Sequence, residues 1–367
     1  MYEIILNILN YLLPFLFVLT FLVFIHEMGH YLVARINSVK VDVFSIGFGP
    51  EIYGIYDKHG TRWKISLIPL GGYVKFYGDM GASSFPDKEK INHKNVNSNS
   101  IFHNKSLFQR SAIVTAGPLA NFLFAIFIFS IIFFIYGKPY SVPIINEVLP
   151  NSSAEYYGLK NKDRIVSIGN RDINSFDDIK SIVQLNANQE LNFQILRDSK
   201  ILNLIVKPKL VRVKDSFGNE YNIGQLGIRS NETEYLKLNF FQSISYSVDQ
   251  TINVCLTSLI AVKQMIFGKR SAEELAGVIG IAKMTGDVAQ VGFVSLLQLM
   301  AFLSISLGLV NLFPIPMLDG GHLLFYFFEA ILGKPLSLKM QEFGMKLGFM
   351  FVVFLMFLTA FNDLNRF

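Results

Sequence analysis

The segment His26-Glu27-Met28-Gly29-His30 carries three ionisable side chains within five residues. In a helix, His26 and His30 lie one turn apart on the same face, where their imidazoles can bind one metal ion. Glu27 can then reach a water molecule at the metal without being a ligand itself. The pattern predicts a zinc site with a general base, which is the chemistry of metal-assisted hydrolysis.

The surroundings of this motif are apolar. It follows an uncharged run from Leu12 to Ile25 that is long enough to enter a membrane. A charged side chain at the bilayer centre costs roughly 2.5–3.5 kcal/mol on insertion scales, so such residues persist where they pair, line a wet cavity or hold an ion. The location therefore favours a metal site over a chance occurrence of the motif.

A zinc enzyme needs a third protein ligand, which this motif does not supply. The candidate is Asp319, in the segment Asn311–His322, where Pro314 and Pro316 break a helix at membrane depth. Taken alone, Asp319 could equally be a helix N-cap, but two histidines within a membrane segment favour the ligand. His322 is an alternative ligand, although a supporting or surface role suits it better.

The composition predicts a membrane protein with soluble parts. Of the 367 residues, 51% are hydrophobic and 17% are charged, and the mean hydropathy is +0.39. Four segments are long and apolar enough to be spans, namely Ile4–Ile25, Ser111–Tyr136, Val291–Phe313 and Leu347–Phe361. The less apolar segment Ile252–Phe267 contains Lys263 and predicts an amphipathic helix that lies at the membrane interface.

The distribution of basic residues predicts the orientation. The loop from Arg35 to Arg110 is rich in lysine and arginine and is expected in the cytoplasm, which places the amino terminus outside. The region from about Gly137 to Glu232 is then extracytoplasmic. A net charge of +5 favours anionic lipid headgroups over nucleic acid as neighbours. The single cysteine, Cys255, excludes an intramolecular disulfide.

Several motifs together resemble those of the site-2 proteases, which are intramembrane zinc metalloproteases, and within them the bacterial regulator-of-sigma-E protease group. In chain order the motifs are His26–His30, Ser45–Pro50, Pro69–Phe76, Ala116–Phe122, Asn311–Gly321 and Phe361–Arg366. The resemblance covers nearly the whole chain in the order of the family. The motifs are specific in combination, although the histidine motif alone is not.

The resemblance implies one zinc ion held by His26, His30 and Asp319. It makes Glu27 the general base and gives Asn311 a hydrogen bond to the substrate backbone. It also implies a membrane-associated edge strand that pairs with an extended substrate, formed by Gly71, Gly72, Tyr73, Val74, Lys75 and Phe76. Such pairing is chemically sensible, because a transmembrane helix must unwind before its peptide bonds can be attacked. An ordinary short hairpin is the alternative for this segment.

Between residues 140 and 230 the sequence resembles one PDZ domain of the circularly permuted bacterial kind. Asn151–Gly169 predicts a short helix, a glycine turn and a strand, and Phe176–Leu185 predicts a second helix. The peptide-binding loop would consist of Gln225, Leu226, Gly227 and Ile228, whose amides can receive a terminal carboxylate. Enterobacterial relatives carry two such domains, so this chain departs from that pattern. The alternative is a small β-rich domain that only shields the site.

The predicted fold is a polytopic α-helical membrane protein with about four transmembrane helices and one inserted PDZ-like β-rich domain. Residues 1–136 would contain the first two spans, the cytoplasmic loop and the hairpin. The expected later parts are the PDZ-like domain in 137–232, the interfacial helix region in 233–290, and the last two spans in 291–367.

The predicted function is zinc-dependent proteolysis inside the bacterial cytoplasmic (inner) membrane. The substrates would be single-pass membrane proteins, typically an anti-sigma factor already shortened by another protease. The alternatives are a non-enzymatic PDZ adaptor or chaperone with a vestigial metal site, and a zinc transporter. Glu27 argues against the adaptor because zinc binding does not require that base. The clustering of ionisable residues at one place argues against the transporter.

Overall fold

The structure is a computed structural model that describes residues 2–78, 98–214, 220–230, 233–268 and 271–366. The chain divides into two compact units. The first unit comprises Met1–Ser130, Ile244–Ile260 and Ala272–Phe367, and the second comprises Ile131–Ser243 and Ala261–Ser271.

The helices, in chain order, are α1 (Tyr2–Ile36), α2 (Leu107–Tyr136), α3 (Ser153–Tyr156), α4 (Phe176–Leu185), α5 (Phe240–Ile266), α6 (Val278–Val291), α7 (Phe293–Asn311), α8 (Asp319–Leu332) and α9 (Leu338–Arg366). The strands are β1 (Val41–Tyr56), β2 (Arg62–Phe76), β3 (Lys138–Ser141), β4 (Glu147–Val148), β5 (Arg164–Ile168), β6 (Arg171–Asp172), β7 (Leu191–Arg197), β8 (Lys200–Val206), β9 (Lys209–Lys214), β10 (Glu220–Gln225), β11 (Ile228–Arg229) and β12 (Thr233–Leu236). Short 3-10 turns lie at Ser98–Ser100, Phe102–Asn104 and Ala272–Glu274.

Within the described residues, 4 helices are long and apolar enough to cross a membrane. These candidate spans are Leu9–Ile36, Leu107–Tyr136, Phe293–Asn311 and Leu338–Asn365. They confirm the four apolar helices expected from the sequence. Helices α1, α2 and α9 extend past the predicted apolar runs, most clearly α1 and α9, whereas α7 is shorter than the predicted run Val291–Phe313. Hydropathy marks only the part that suits lipid, whereas helical hydrogen bonding continues into polar residues.

The less apolar segment Ile252–Phe267 lies mostly in α5 and is not among these spans. The polar side of α5 is buried at Ser243, Ser247 and Thr251, whereas apolar side chains such as Leu256 are exposed. A helix that hides its polar side and exposes its apolar side suits contact with lipid. Its interfacial position stays a prediction.

Strands β1 and β2 form an antiparallel sheet in which the first part of β1 pairs with both the beginning and the end of β2. Phe44, for example, lies opposite Val74 and also next to Trp63. The first half of β1 is therefore flanked on both sides, and residues 72–76 form an edge of the sheet. No other strand of the described chain pairs with this edge.

Asp57 anchors the turn between these strands to α1. Its carboxylate accepts hydrogen bonds from the Tyr31 hydroxyl at 2.9 Å and the Trp63 indole N–H at 3.0 Å. The backbone N–H groups of His59 and Thr61 donate to it at 2.8 and 2.9 Å. Desolvation raises the pKa of Asp57, but these hydrogen bonds lower it by more, so the pKa lies below its usual value. The hairpin is thereby fixed to the helix that carries the histidines.

Asp363, near the end of α9, caps the start of α6. Its carboxylate accepts hydrogen bonds from the backbone N–H groups of Gly277 and Gly280, both at 3.0 Å. The neighbouring Asn362 donates to the carbonyl oxygen of Ala272 at 2.8 Å. A carboxylate at a helix N-terminus pairs amides that the helix leaves free and is favoured by the helix dipole. The Phe361–Arg366 motif therefore ties α6 to α9.

The second unit consists of small antiparallel sheets. The largest has the strand order β6-β5-β7-β8, and β9 pairs with β10, β4 with β11, and β3 with β12. The hydrophobic core of the second unit is formed by buried side chains that include Ile165, Ile179 and Phe193. The predicted helix, glycine turn and strand appear as α3, Gly158 with φ +80° and β5, and the second predicted helix is α4. The β-rich character is confirmed, whereas the assignment as a PDZ domain stays a prediction.

Candidate active site

Three side chains of the first unit converge on one point. His26 and His30 project from α1 with their Nε2 atoms 3.2 Å apart. Oδ2 of Asp319 lies 3.2 Å from Nε2 of His26 and 3.5 Å from Nε2 of His30. This oxygen is buried and has no hydrogen-bond partner among the described residues. The three residues form a group that could hold a metal ion.

The spacing of these atoms fits zinc. With ligand bonds of about 2.0–2.1 Å, tetrahedral coordination places neighbouring ligand atoms roughly 3.3 Å apart. The three observed separations lie between 3.2 and 3.5 Å. Two imidazole nitrogens and one carboxylate oxygen are ligands that zinc commonly takes in peptidases, with the fourth position left for water or substrate. The residues present therefore suit the predicted cofactor.

Asp319 reaches the histidines because the chain turns sharply in residues 312–318, between α7 and α8. Within this turn Met317 has φ +91°, a left-handed conformation that costs energy for a residue with a side chain. The N-cap of α8 is Leu318, and no side chain caps the helix. The helix-cap alternative for Asp319 is therefore wrong, and its carboxylate faces the histidines instead.

Glu27 lies beside the converging atoms without belonging to them. The backbone N–H of Val74 in β2 approaches its carboxylate. Gly72 of the same strand lies directly against it, because a Cβ at that position would come within 3.2 Å of Glu27 Cγ. Glu27 thus sits between the metal-binding face of α1 and the edge of the sheet, where a general base would be needed.

Helix α2 supports both histidines from behind. Nδ1 of His30 donates to the carbonyl oxygen of Ile113 at 2.9 Å, which leaves Nε2 free to face Asp319. Nδ1 of His26 lies 3.1 Å from the side-chain amide nitrogen of Asn121. Between these contacts α2 comes so close that a Cβ at Gly117 would lie 2.2 Å from Nε2 of His30.

The supporting role of α2 was missed by the sequence reasoning, which used Ala116–Phe122 only as a family motif. The sequence nevertheless contains two features that indicate this role. Residues 113, 117 and 121 recur every four positions and so share one face of a helix. A polar Asn121 in an otherwise apolar span also needs a partner, since an unpaired amide in that setting is costly.

A cavity of about 550 Å³ contains the three converging side chains and Glu27. The predicted substrate-contact residues that line it are Gly71, Gly72, Tyr73, Val74 and Phe76 of β2 and Asn311 at the end of α7. Lys75 is not among the lining residues. His322 lines the cavity but is outside the group of converging atoms, so the geometry favours Asp319 over His322 as the third ligand.

The predicted PDZ loop lies in the second unit, at a groove of about 490 Å³. One wall is formed by Gln225, Leu226, Gly227 and Ile228, and the other by α4 residues Phe176, Ile179 and Val183. Gly227 has φ +78°, a conformation that glycine adopts without strain. The loop and the helix thus face each other across this groove, whereas peptide binding by the loop stays a prediction.

Comparison with known proteins agrees with this site. Peptidase family M50 matches residues 14–355. A protein of Brucella suis named as a zinc metalloprotease is 42% identical over 360 residues, which cover 96% of this chain and 94% of the relative. A zinc metalloprotease by name from Rhizobium meliloti is 39% identical over 369 residues and 99% of each chain. The metalloprotease MmpA of Caulobacter vibrioides is 34% identical over 380 residues, covering 97% of this chain and 96% of the relative.

These matches span nearly the whole chain and confirm three predictions made from the sequence, namely the family, the protease activity and the zinc cofactor. The apolar helices add that the protein belongs in a membrane. The chain is therefore a member of peptidase family M50, the site-2 proteases, and is a zinc-dependent membrane protease.

Proposed function

We propose that the protease hydrolyses peptide bonds within the transmembrane segments of single-pass membrane proteins. The observation that carries this proposal is the position of the sheet edge, since Gly72, Tyr73, Val74 and Phe76 line the cavity that contains the histidines. An unwound substrate segment could add to this edge and regain the backbone hydrogen bonds that it loses on leaving the helix. The edge would then hold the substrate as an extended strand beside Glu27.

The roles of the site residues follow from their positions. His26, His30 and Asp319 would hold the zinc ion, which when bound supplies Lewis-acid activation of water and stabilises negative charge on the peptide carbonyl. Glu27 would take a proton from the attacking water and deliver it to the leaving amine. Asn311 lines the same cavity and would hydrogen-bond the substrate backbone, which fixes the scissile bond in place.

The second unit would select substrates. We propose that it is a PDZ-like domain on the extracytoplasmic side and that the loop Gln225–Ile228 receives the new carboxyl terminus left by an earlier cleavage. The groove between this loop and α4 supports the proposal. The substrate would be shortened before it enters the cavity, as in regulated cleavage of an anti-sigma factor at the inner membrane. A domain that only shields the cavity is the alternative.

Mapping the cleavage position tests the proposed function. The zinc-loaded protein in proteoliposomes is given a reporter with one transmembrane segment and soluble flanks, and the fragments are identified by mass spectrometry. Glu27→Gln is the matched control for contaminating proteases. We expect Glu27-dependent cuts inside the membrane segment. Cuts confined to the water-exposed flanks would show that the enzyme is a membrane-bound protease of soluble sequences instead.

A further inference from the structure

Asn121 is a polar side chain that the helices around the site enclose completely. It is 0% exposed. Its side-chain amide contacts Nδ1 of His26 on α1, and its backbone carbonyl accepts a hydrogen bond from the Ser304 hydroxyl of α7 at 2.9 Å. Gly308, also on α7, lies against its side chain, because a Cβ there would come 3.3 Å from Asn121 Cβ. The amide is thus held at the back of the imidazole.

The position of the proton on His26 decides what Asn121 must do. Nε2 is the nitrogen of His26 that faces Asp319 and His30. A nitrogen that binds a metal must present a lone pair, so the proton of a neutral imidazole then resides on Nδ1. His30 satisfies this condition through the carbonyl oxygen of Ile113. For His26, the neighbouring group within hydrogen-bonding distance of Nδ1 is the Asn121 amide.

We infer that Asn121 is a positioning residue for His26, whose Nδ1–H donates to the Asn121 side-chain oxygen when zinc is bound. In the geometry described, the amide nitrogen of Asn121 faces Nδ1 of His26, an arrangement in which the amide would donate to an Nδ1 that carries no proton. A half-turn of the amide group exchanges oxygen and nitrogen with almost no change in shape. The side-chain oxygen has no hydrogen-bond partner among the described residues, so no donor there opposes that exchange.

An asparagine therefore suits the site with and without zinc, because its amide can accept a hydrogen bond from Nδ1–H or donate one to an unprotonated Nδ1. A side chain of similar size without an acceptor would leave Nδ1–H buried and unpaired and would let the ring reorient. Loss of such supporting contacts typically weakens metal binding by 10–100-fold. The inference rests on the proposed ligand role of His26 and adds the residue that holds this ligand in its metal-binding form.

Zinc affinity, measured by competition between the metal-free protein and a chromogenic chelator, tests the inference apart from activity. We expect Asn121→Leu, which has a similar volume and no acceptor, to bind zinc about 10–100-fold more weakly. Asn121→Asp keeps an acceptor and should stay within a few-fold of wild type. Ser304→Ala removes the hydroxyl that bonds the Asn121 backbone, and it controls for packing between α2 and α7. It should weaken zinc binding far less than Asn121→Leu, because the Asn121 side chain remains.

Equal zinc affinity of Asn121→Leu and wild type would overturn the inference, as would an Asn121→Asp variant as weak as Asn121→Leu. The His26→Ala variant distinguishes failure of the Asn121 inference from failure of the proposed zinc site. If it also binds zinc like wild type, both the ligand assignment and the inference fall. Nitrogen-15 NMR of histidine-labelled, zinc-loaded wild type needs no variant to fold. It should show a proton on Nδ1 of His26, and an unprotonated Nδ1 would contradict the inference.

Discussion

At the scale of single residues, the site depends on polar side chains whose burial in the membrane would be unfavourable if each stood alone. An isolated histidine or aspartate inside a span loses its hydration without compensation. His26, His30 and Asp319 come from distant parts of the chain and approach to within 3.5 Å, where a metal ion can compensate for the lost hydration of all three. The histidines were predictable because helical spacing alone puts them on one face. Two prolines indicated the turn that brings Asp319 to the histidines, whereas the strained φ of Met317 in this turn could not be predicted from the sequence.

Replacing a proposed ligand should lower zinc occupancy together with proteolysis. His26→Ala, His30→Ala and Asp319→Ala should each weaken zinc binding by more than the 10–100-fold that is typical of supporting residues. Metal analysis after gel filtration measures this directly. His322→Ala is the matched control, because His322 lines the cavity outside the converging group, and it should retain zinc. Full zinc retention in Asp319→Ala would remove Asp319 from the metal site.

At the scale of elements, close helix contacts bring the site together. Gly29 of α1 faces α2 so tightly that a Cβ there would lie 2.2 Å from the carbonyl oxygen of Ala116. Hydropathy predicted both helices as spans, but it carries no information on which faces meet. The sequence left two interpretations of residues 72–76, an edge strand that pairs with substrate and an ordinary short hairpin. The pairing of β1 with both ends of β2 shows the edge, whereas substrate pairing along it stays a prediction.

Gly117→Ala should weaken zinc binding although residue 117 is not a ligand. Its Cβ would lie 2.2 Å from Nε2 of His30, so either the imidazole or α2 must move. Gly344→Ala in α9 is the control, because its Cβ would meet the flexible ring of Phe325 at 3.1 Å and Pro316 Cγ at an ordinary contact distance of 3.8 Å. We expect at least a 10-fold loss of zinc affinity for the first variant and little change for the second. Equal zinc affinities of the two variants would contradict this prediction and would mean that α2 can shift away from His30 without disturbing the metal site.

Proline substitutions test the pairing of substrate with the sheet edge. The Val74 N–H approaches Glu27, so we expect it to point to the cavity and Val74→Pro, which removes it, to cost much more activity than Val74→Ala. Neighbouring N–H groups alternate in direction, so Tyr73→Pro should instead disturb the pairing with β1 and lower the melting temperature. Activity is compared only among variants with wild-type zinc content. Equal and mild losses of activity for both prolines would leave the segment as a structural hairpin.

At the scale of the whole molecule, two units have separate tasks in the proposed function. The first unit carries every residue of the candidate metal site, and the second has a hydrophobic core of its own. The family and the number of apolar helices could be predicted from the sequence, because motifs and hydropathy are local properties. The use of the second unit could not be, since peptide capture depends on which side chains line a groove rather than on the fold.

Deleting residues 140–230, with a short linker in their place, separates the two hypotheses for the second unit. A gate that excludes long substrates predicts that the deletion permits cleavage of a full-length reporter. A domain that captures new carboxyl termini predicts slower cleavage of a shortened reporter. Both reporters are assayed with each protein, and zinc content serves as the control for an intact site. An unchanged preference between the reporters would reject both hypotheses.

The central claim is that Glu27 is the base of a zinc protease and not a ligand of its metal. The most direct test measures zinc content and reporter cleavage together for wild type and Glu27→Gln. We predict about one zinc per chain in both proteins and a loss of cleavage of about 10²–10⁴-fold in the variant, the range expected for removal of a general base. Cleavage by Glu27→Gln at the wild-type rate would contradict the account.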